Sequence, residues 1–250
     1  MRQYGLLGAK LAHSYSKTIH NYVFKKYNID ATYNLYECRE DELSSYILGL
    51  KNGIYDGFNV TIPYKKTIMQ YLDRVDEKAL AIGSVNTIYL QDGLAVGTNT
   101  DYDGFYDTLK ANKIEVLNKH CYVLGTGGAS LAITKVLKDM GGKVYSVSRN
   151  PVGDILGYGD LEKRNIDILV NTTPVGMYPN VDESPVSLEI ARNAKVVIDI
   201  IFNPRPTCLL KMANSNYDGL HMLIVQALKA DEIWLKRIID FPVEEIKEEL

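Results

Sequence analysis

The sequence predicts an α/β protein with a doubly wound second half, and three observations carry that expectation. Short apolar runs of the fully buried strand type recur, as in IDILVNTTP over 166–174 and KVVIDIIF over 195–202. Segments with helical spacing separate such runs along most of the chain. One strand, HCYVLG over 120–125, runs straight into the glycine-rich turn TGGAS, and an amphipathic helix follows.

Taken in order, YGLLG at 4–8 reads as a strand entering a loop, and 16–27 as a helix. The alternating, tyrosine-rich ATYNLYEC at 31–38 reads as a strand. Residues 40–50 have helical spacing. GFNVTI at 57–62 is a short buried strand stopped by Pro63, with a helix expected over 65–72 and another over 76–82. GSVNTIYLQDGLAVGTNTD then places two apolar runs around Gln91-Asp92-Gly93, the composition of a hairpin turn. The alternation of strands and helices implies mainly parallel pairing. The junction between the two halves is expected in the helix after Asp101, which ends near Asn118. Past the glycine turn, Leu131, Ile133, Val136, Leu137 and Met140 line one helical face. KVYSVSR at 143–149 is the next strand, and the last helix is expected over 222–239, after Gly219.

With 250 residues and 46% hydrophobic content, the chain can bury a sizeable core as one large or two modest domains. Lys and Arg total 28 against 31 Asp and Glu, a net charge of −3, which argues against a nucleic-acid partner. Cys38, Cys121 and Cys208 are odd in number and scattered, which suits a reducing compartment and gives no disulfide framework. No histidine stands at metal-ligand spacing from a cysteine, so no metal is expected. The N-terminal apolar run is broken by Gly and Lys, unlike a signal peptide, and no stretch approaches the ~18 apolar residues of a membrane span. A cytoplasmic protein without a membrane partner, as monomer or homodimer, is expected.

The turn Gly125-Thr126-Gly127-Gly128-Ala129 stands where a backbone can approach a pyrophosphate, with the N–H groups and positive dipole end of a helix behind it. A tight βα turn with no ligand would use some of the same glycines; the strand–glycine–helix context favours the nucleotide. At the end of the next strand, where NAD-binding folds place an acid, the chain has Ser148-Arg149-Asn150. A carboxylate there would repel a 2′-phosphate, whereas Arg149 can pair with one, so these residues point to NADP rather than NAD.

The first half holds polar residues where apolar ones are expected. Ser14 and Ser16 precede a helix, where serine also serves as an N-cap. Asn59 and Thr61 give one face of an apolar strand a polar character that needs partners or a ligand. Lys65, Asn86 and Asp101 stand at the ends of short runs, where each alone would pass for a solvated or turn residue. Gln226 shares a helical face with Leu223, Ala230 and Ile233, an odd place for an amide without a ligand.

The stretches HSYS, NVTIPYKK, GSVNTI, GTNTDYDGF, GTGGA, NTTPVGM, DIIFNPRPT and DGLHMLIVQA span residues 13 to 227, and their order and spacing resemble those of the shikimate dehydrogenase family. The resemblance implies a substrate-binding and catalytic domain over 1–101 with the C-terminal segment 220–250, and a Rossmann-like NADP-binding domain over 102–219, the site lying in the cleft between them. It implies reversible reduction of 3-dehydroshikimate to shikimate, a step toward aromatic amino acids, with Lys65 and Asp101 as the catalytic pair. This agrees with the chemistry: an ammonium beside the reacting oxygen can stabilise the alkoxide and supply its proton, and a carboxylate orients the ammonium. Ser14, Ser16, Thr61, Asn86 and Gln226 would hold the substrate together with the pair. Ile200 and Gly219 would border the nicotinamide. Three positions depart from the family pattern: Lys17 replaces a usual proline, Phe202 a common tyrosine that would line the substrate site, and His221 a usually small residue. Two rivals are a quinate or quinate/shikimate dehydrogenase, often NAD-linked, and a non-catalytic nucleotide sensor. Arg149 argues against the first, and the retained Lys65 and Asp101 against the second.

Overall fold

A computed structural model describes residues 1–12, 14–240 and 243–250. The chain divides into two compact units, Met1–Gly104 with Ile224–Leu250, and Phe105–Leu223.

In the first unit the chain runs β1 (Arg2–Gly8), α1 (Ser16–Lys26), β2 (Ala31–Glu37), α2 (Leu43–Lys51), β3 (Gly57–Val60), β4 (Arg74–Val75), α3 (Glu77–Ile82), β5 (Thr87–Gln91) and β6 (Leu94–Thr98). The six strands form one sheet in the order β2-β1-β3-β5-β6-β4. Its alternation follows the two-residue period of a strand. Leu7, Phe58 and Val60 face a cluster with Leu43, Ile47, Leu50 and Ile68. Tyr4, Leu6 and Tyr33 face a second cluster with Phe24 and Trp234. Trp234 stacks on Tyr4 with ring centroids 4.7 Å apart, and its indole N–H donates to the Ile88 carbonyl at 2.9 Å. Gly57 makes room for it, since a Cβ there would stand 2.3 Å from the indole nitrogen.

Pairing in this sheet is mixed within the mainly parallel expectation: β1 is parallel to β2 and β3, and β4 to β6. β5 is antiparallel to both β3 and β6. The cause is local: Asp92 and Gly93 both take positive φ, 54° and 77°, as the two central residues of a type I′ turn must, and a two-residue turn reverses the chain. The helix expected over 65–72 is instead a turn leading into a 3₁₀ segment, Thr67–Tyr71. The helix expected over 40–50 begins as a 3₁₀ turn, Glu40–Glu42, before α2. β3 stops at Val60 because the chain turns there, Tyr64 N–H donating to the Thr61 carbonyl at 2.9 Å, and Ile62 is left exposed.

The chain continues with α4 (Asp101–Ala111), β7 (His120–Leu124), α5 (Gly128–Asp139), β8 (Lys143–Val147), β9 (Ile168–Asn171), α6 (Leu188–Asn193), β10 (Val196–Asp199), α7 (Cys208–Met212), β11 (Asn216–Tyr217), α8 (Leu220–Leu235) and α9 (Val243–Lys247). The unit boundaries fall inside α4 and α8. The second unit has one sheet, β11-β10-β9-β7-β8, parallel throughout. Its central strands β7 and β9 are almost wholly buried on both faces, as helix-covered parallel strands are. α8 ends at Leu235, earlier than the sequence suggests, where Lys236 takes a left-handed φ of 52°. Among the described residues no helix is long and apolar enough to cross a membrane.

Candidate active site

β1, β3 and β6 run in one direction and β5 in the other. The C-terminal ends of the first three and the N-terminal end of β5 therefore share one edge of the sheet. That edge carries Ser14 and Ser16 after β1, Thr61 and Lys65 after β3, Asn86 before β5 and Asp101 after β6. The chain leaves β1 for β2 on one side and returns to β3 on the other, so the edge includes a topological switch point, where open α/β sheets leave a crevice.

The turn carrying Lys65 is pinned on both sides. The Tyr64 hydroxyl donates to the Cys38 carbonyl at 2.7 Å, and the Lys65 carbonyl accepts from the Val85 N–H at 2.8 Å. The Lys65 ammonium then lies 2.6 Å from Asp101 Oδ2, the two side chains only 13% and 7% exposed. Asp101 opens α4, where a carboxylate also meets the positive end of the helix dipole. Its second oxygen, Oδ1, accepts from Asn86 Nδ2 at 3.0 Å. The same amide nitrogen lies 3.3 Å from Gln226 Oε1 on α8. Asn86 Oδ1 faces away from the pair, accepting from the Thr100 N–H at 2.7 Å and from Thr87 Oγ1 at 3.0 Å. Lys65, Asn86, Asp101 and Gln226 thus form one connected polar group.

The serines extend it. Ser14 Oγ accepts from the Ser16 N–H at 3.3 Å; the N-cap of α1 is Tyr15, with no side-chain cap. Ser16 is buried, and its side chain hydrogen-bonds the Tyr33 phenol. Thr61 is partly exposed, its methyl group against the backbone of Gly8. His13 lies outside the described residues, and Lys17 is exposed. The sequence reading missed Thr100, Thr87 and Tyr33. Thr87 carried the signal that drew attention to Asn59, a polar atom in an apolar run; Thr100 stands in the polar stretch TNTD and Tyr33 in an alternating strand, where neither stands out.

In the second unit the strand order reverses between β7 and β9, and the loop Gly125–Gly127 leaves β7 at that point. Gly125 has a φ of 104°, and a Cβ there would stand 2.8 Å from Thr172 Oγ1, so only glycine fits. A Cβ at Gly127 would meet nothing within 4 Å, so the loop faces open space there. The N-cap of α5 is Gly127, which makes no side-chain cap bond, and Gly128 and Ala129 follow it, while Ser130 Oγ donates back to the Gly127 carbonyl at 2.7 Å. Ser148, Arg149 and Asn150 follow the neighbouring parallel strand β8; Arg149 is exposed, and Ser148 Oγ accepts from the Asn150 N–H at 3.2 Å. This edge, with its open glycine loop and exposed arginine, suits a phosphorylated dinucleotide.

Ile200 and Gly219 meet backbone to backbone. A Cβ at Gly219 would lie 2.0 Å from the Ile200 carbonyl oxygen, and the Gly219 N–H donates to the Ile201 carbonyl at 3.3 Å. Just ahead, buried Asp199 accepts from Asn171 Nδ2 at 3.0 Å, the Ile201 N–H at 3.1 Å and Thr207 Oγ1 at 2.8 Å. Phe202 is partly buried in the loop after β10. His221 pairs with Asp107 at 2.7 Å.

A Rossmann-like parallel sheet and a second α/β unit with a lysine–aspartate pair at its strand ends define the class of two-unit α/β dehydrogenases. The comparisons narrow the class. The profile of the shikimate dehydrogenase substrate binding domain matches residues 6–88. A shikimate dehydrogenase (NADP(+)) of Clostridium beijerinckii is 44% identical over 254 residues, 96% of this chain and 94% of the relative. The solved shikimate dehydrogenase 1 of Peptoclostridium difficile superposes with a TM-score of 0.93 at 42% identity, covering 100% of this chain and 99% of that one. The shikimate 5-dehydrogenase of Thermus thermophilus, solved in complex with NADP(H) and shikimate, superposes with a TM-score of 0.90 at 28% identity, over 100% and 98% of the two chains. The chain belongs to the shikimate dehydrogenase family.

Proposed function

We propose that this protein is an NADP-dependent shikimate dehydrogenase, catalysing the reversible reduction of 3-dehydroshikimate to shikimate on the way to aromatic amino acids. The observation that carries the reading is the Lys65–Asp101 pair at 2.6 Å, bracketed by Asn86 and Gln226. The first unit is the substrate-binding and catalytic domain and the second binds NADP. NADP, when bound, supplies or accepts the hydride. Lys65 holds the ring oxygen that changes between ketone and alcohol, stabilises its charge as it builds and gives or takes its proton. Asp101 fixes the ammonium, and Asn86 fixes Asp101. Ser14, Ser16, Thr61, Asn86, Gln226 and Phe202 surround the substrate's carboxylate and hydroxyls. Gly125, Thr126, Gly127, Gly128 and Ala129 cradle the pyrophosphate. Ser148, Arg149 and Asn150 hold the 2′-phosphate, and Ile200 and Gly219 border the nicotinamide. The free thiols of Cys38, Cys121 and Cys208 support a cytoplasmic location.

The test is a matrix of rates with shikimate and quinate, each with NADP+ and NAD+. Shikimate with NADP+ is expected to turn over fastest. In Lys65→Ala, kcat is expected to fall by about 10²–10⁴-fold, the range of a lost proton-transfer group, with NADPH affinity nearly intact. Near-normal turnover in that variant removes Lys65 from the mechanism; a faster quinate or NAD+ reaction replaces the substrate or the cofactor.

A further inference from the structure

Tyr33 sits on β2, wholly buried in the cluster of Tyr4, Phe24 and Trp234. Phenylalanine would fill such a place without the cost of burying a hydroxyl, so the oxygen needs a reason. The ring is held in position from one side, stacked on His20 at 4.1 Å and 14°, and His20 Nδ1 in turn lies 2.8 Å from Asp231 Oδ1. Burial pushes the phenol's pKa well up, so it remains a donor.

From that fixed point a series of hydrogen bonds runs in one direction. Tyr33 donates to Asn59 Oδ1 at 2.9 Å. Asn59 Nδ2 donates to Thr87 Oγ1 at 3.0 Å and to the Asn86 carbonyl at 3.2 Å. Thr87 Oγ1 donates to Asn86 Oδ1 at 3.0 Å, and Asn86 Nδ2 donates to Asp101 Oδ1 at 3.0 Å. A carboxamide can sit either way round in similar space; what decides is which end meets donors and which meets acceptors. The hydroxyl of Tyr33 and the Asn86 carbonyl together settle this for Asn59, whose Nδ2 takes one of the two acceptor positions of Thr87 Oγ1; that hydroxyl lies 3.0 Å from Asn86 Oδ1 and 3.1 Å from Thr100 Oγ1. Thr87 then joins the Thr100 N–H in holding Asn86 Oδ1 away from the carboxylate. Bonds aligned in this way polarise one another.

We infer that Tyr33 is a positioning residue of the dehydrogenase site, setting through Asn59 and Thr87 the amide orientation by which Asn86 holds Asp101 against Lys65. The inference rests on the reading of Lys65 and Asp101 as the catalytic pair. A residue that only filled the core would affect stability alone; Tyr33 acts on kcat through Asn59, while its other partner, the Ser16 side chain, acts on substrate binding and is read separately in KM.

The test is Tyr33→Phe with Thr87→Val, singly and together, in steady-state shikimate oxidation and in NADP+ binding by calorimetry. Each single variant is expected to lower kcat about tenfold, the rate equivalent of one hydrogen bond, with NADP+ affinity within about twofold of wild type. The double variant is expected to be no slower than the slower single, because both break one series. A Tyr33→Phe enzyme with wild-type kcat overturns the inference, and so does a double variant that loses about a hundredfold. Should Tyr33→Phe not fold, Asn59→Leu takes its place in the same cycle with the same two outcomes. A wild-type protein silent with every ring acid sinks the proposed function itself, a result distinct from either.

Discussion

Asp199 is buried at the end of β10, and desolvation pushes its carboxyl from the ordinary 3.8 up to about 6, against the lowering pull of Thr207, the Ile201 N–H and Asn171. The folded protein therefore holds this proton more tightly than the unfolded chain. The stabilising contribution is full below pH 3.8 and is lost as pH rises through about 6. Across that window it amounts to on the order of 3 kcal/mol. In urea titrations, the stability of wild type relative to Asp199→Asn is expected to fall between pH 4 and pH 7; a constant difference would contradict the assignment. At this scale the sequence was legible where a residue type implies its own chemistry. A glycine turn before a helix and an arginine in place of an acid can be recognised without coordinates. Asp199 was not, since an acid in the run VVID looks like any strand end until burial on all sides is known. Tyr33 and Asn59 were unreadable as a pair. They lie on β2 and β3, and β1 runs between those strands.

Helix α1 is tied to helix α8 by a fully buried acid–imidazole contact, His20 to Asp231, in which His20 Nε2 and Asp231 Oδ2 have no hydrogen-bond partner among the described residues. Burial raises the Asp231 pKa, with His20 opposing the shift. Such pairs are costly to break singly and cheap to replace whole. Asp231→Ala is expected to destabilise the protein by about 3–5 kcal/mol, and replacement of both residues by leucine by much less, in urea unfolding. If the double replacement costs the sum of two single losses, the contact is not the coupled unit described. Elements were legible in proportion to how local their causes are. The hairpin around Asp92 and Gly93 could be read directly, and its reversal of the chain already argued against uniformly parallel pairing. The segment after Pro63 has helical spacing, yet tertiary bonds from Tyr64 to Cys38 and from Val85 to Lys65 hold it as a turn. Those partners are distant in sequence, so periodicity alone misread it.

The two units repeat one device. In each, the first strand is followed by a neighbour on one side and the third strand on the other, and the residues assigned to ligand stand where the order reverses. The α/β class and the glycine-rich turn were visible in the sequence because the second sheet is parallel and its central strands are apolar on both faces. The mixed first sheet is less regular, and there the family motifs said more than periodicity did. Each unit also owns its core, and the molecule carries a single tryptophan. That residue, Trp234, belongs to the first unit, packed on Tyr4 and bonded to Ile88. Its fluorescence is thus a private optical label on one unit, while far-ultraviolet circular dichroism sees the backbone of both. Independent cores predict different urea midpoints for the two signals, whereas coincident curves would mean one cooperative block. NADP+ is expected to raise the midpoint of the dichroism change assigned to the second unit and leave the tryptophan signal behind.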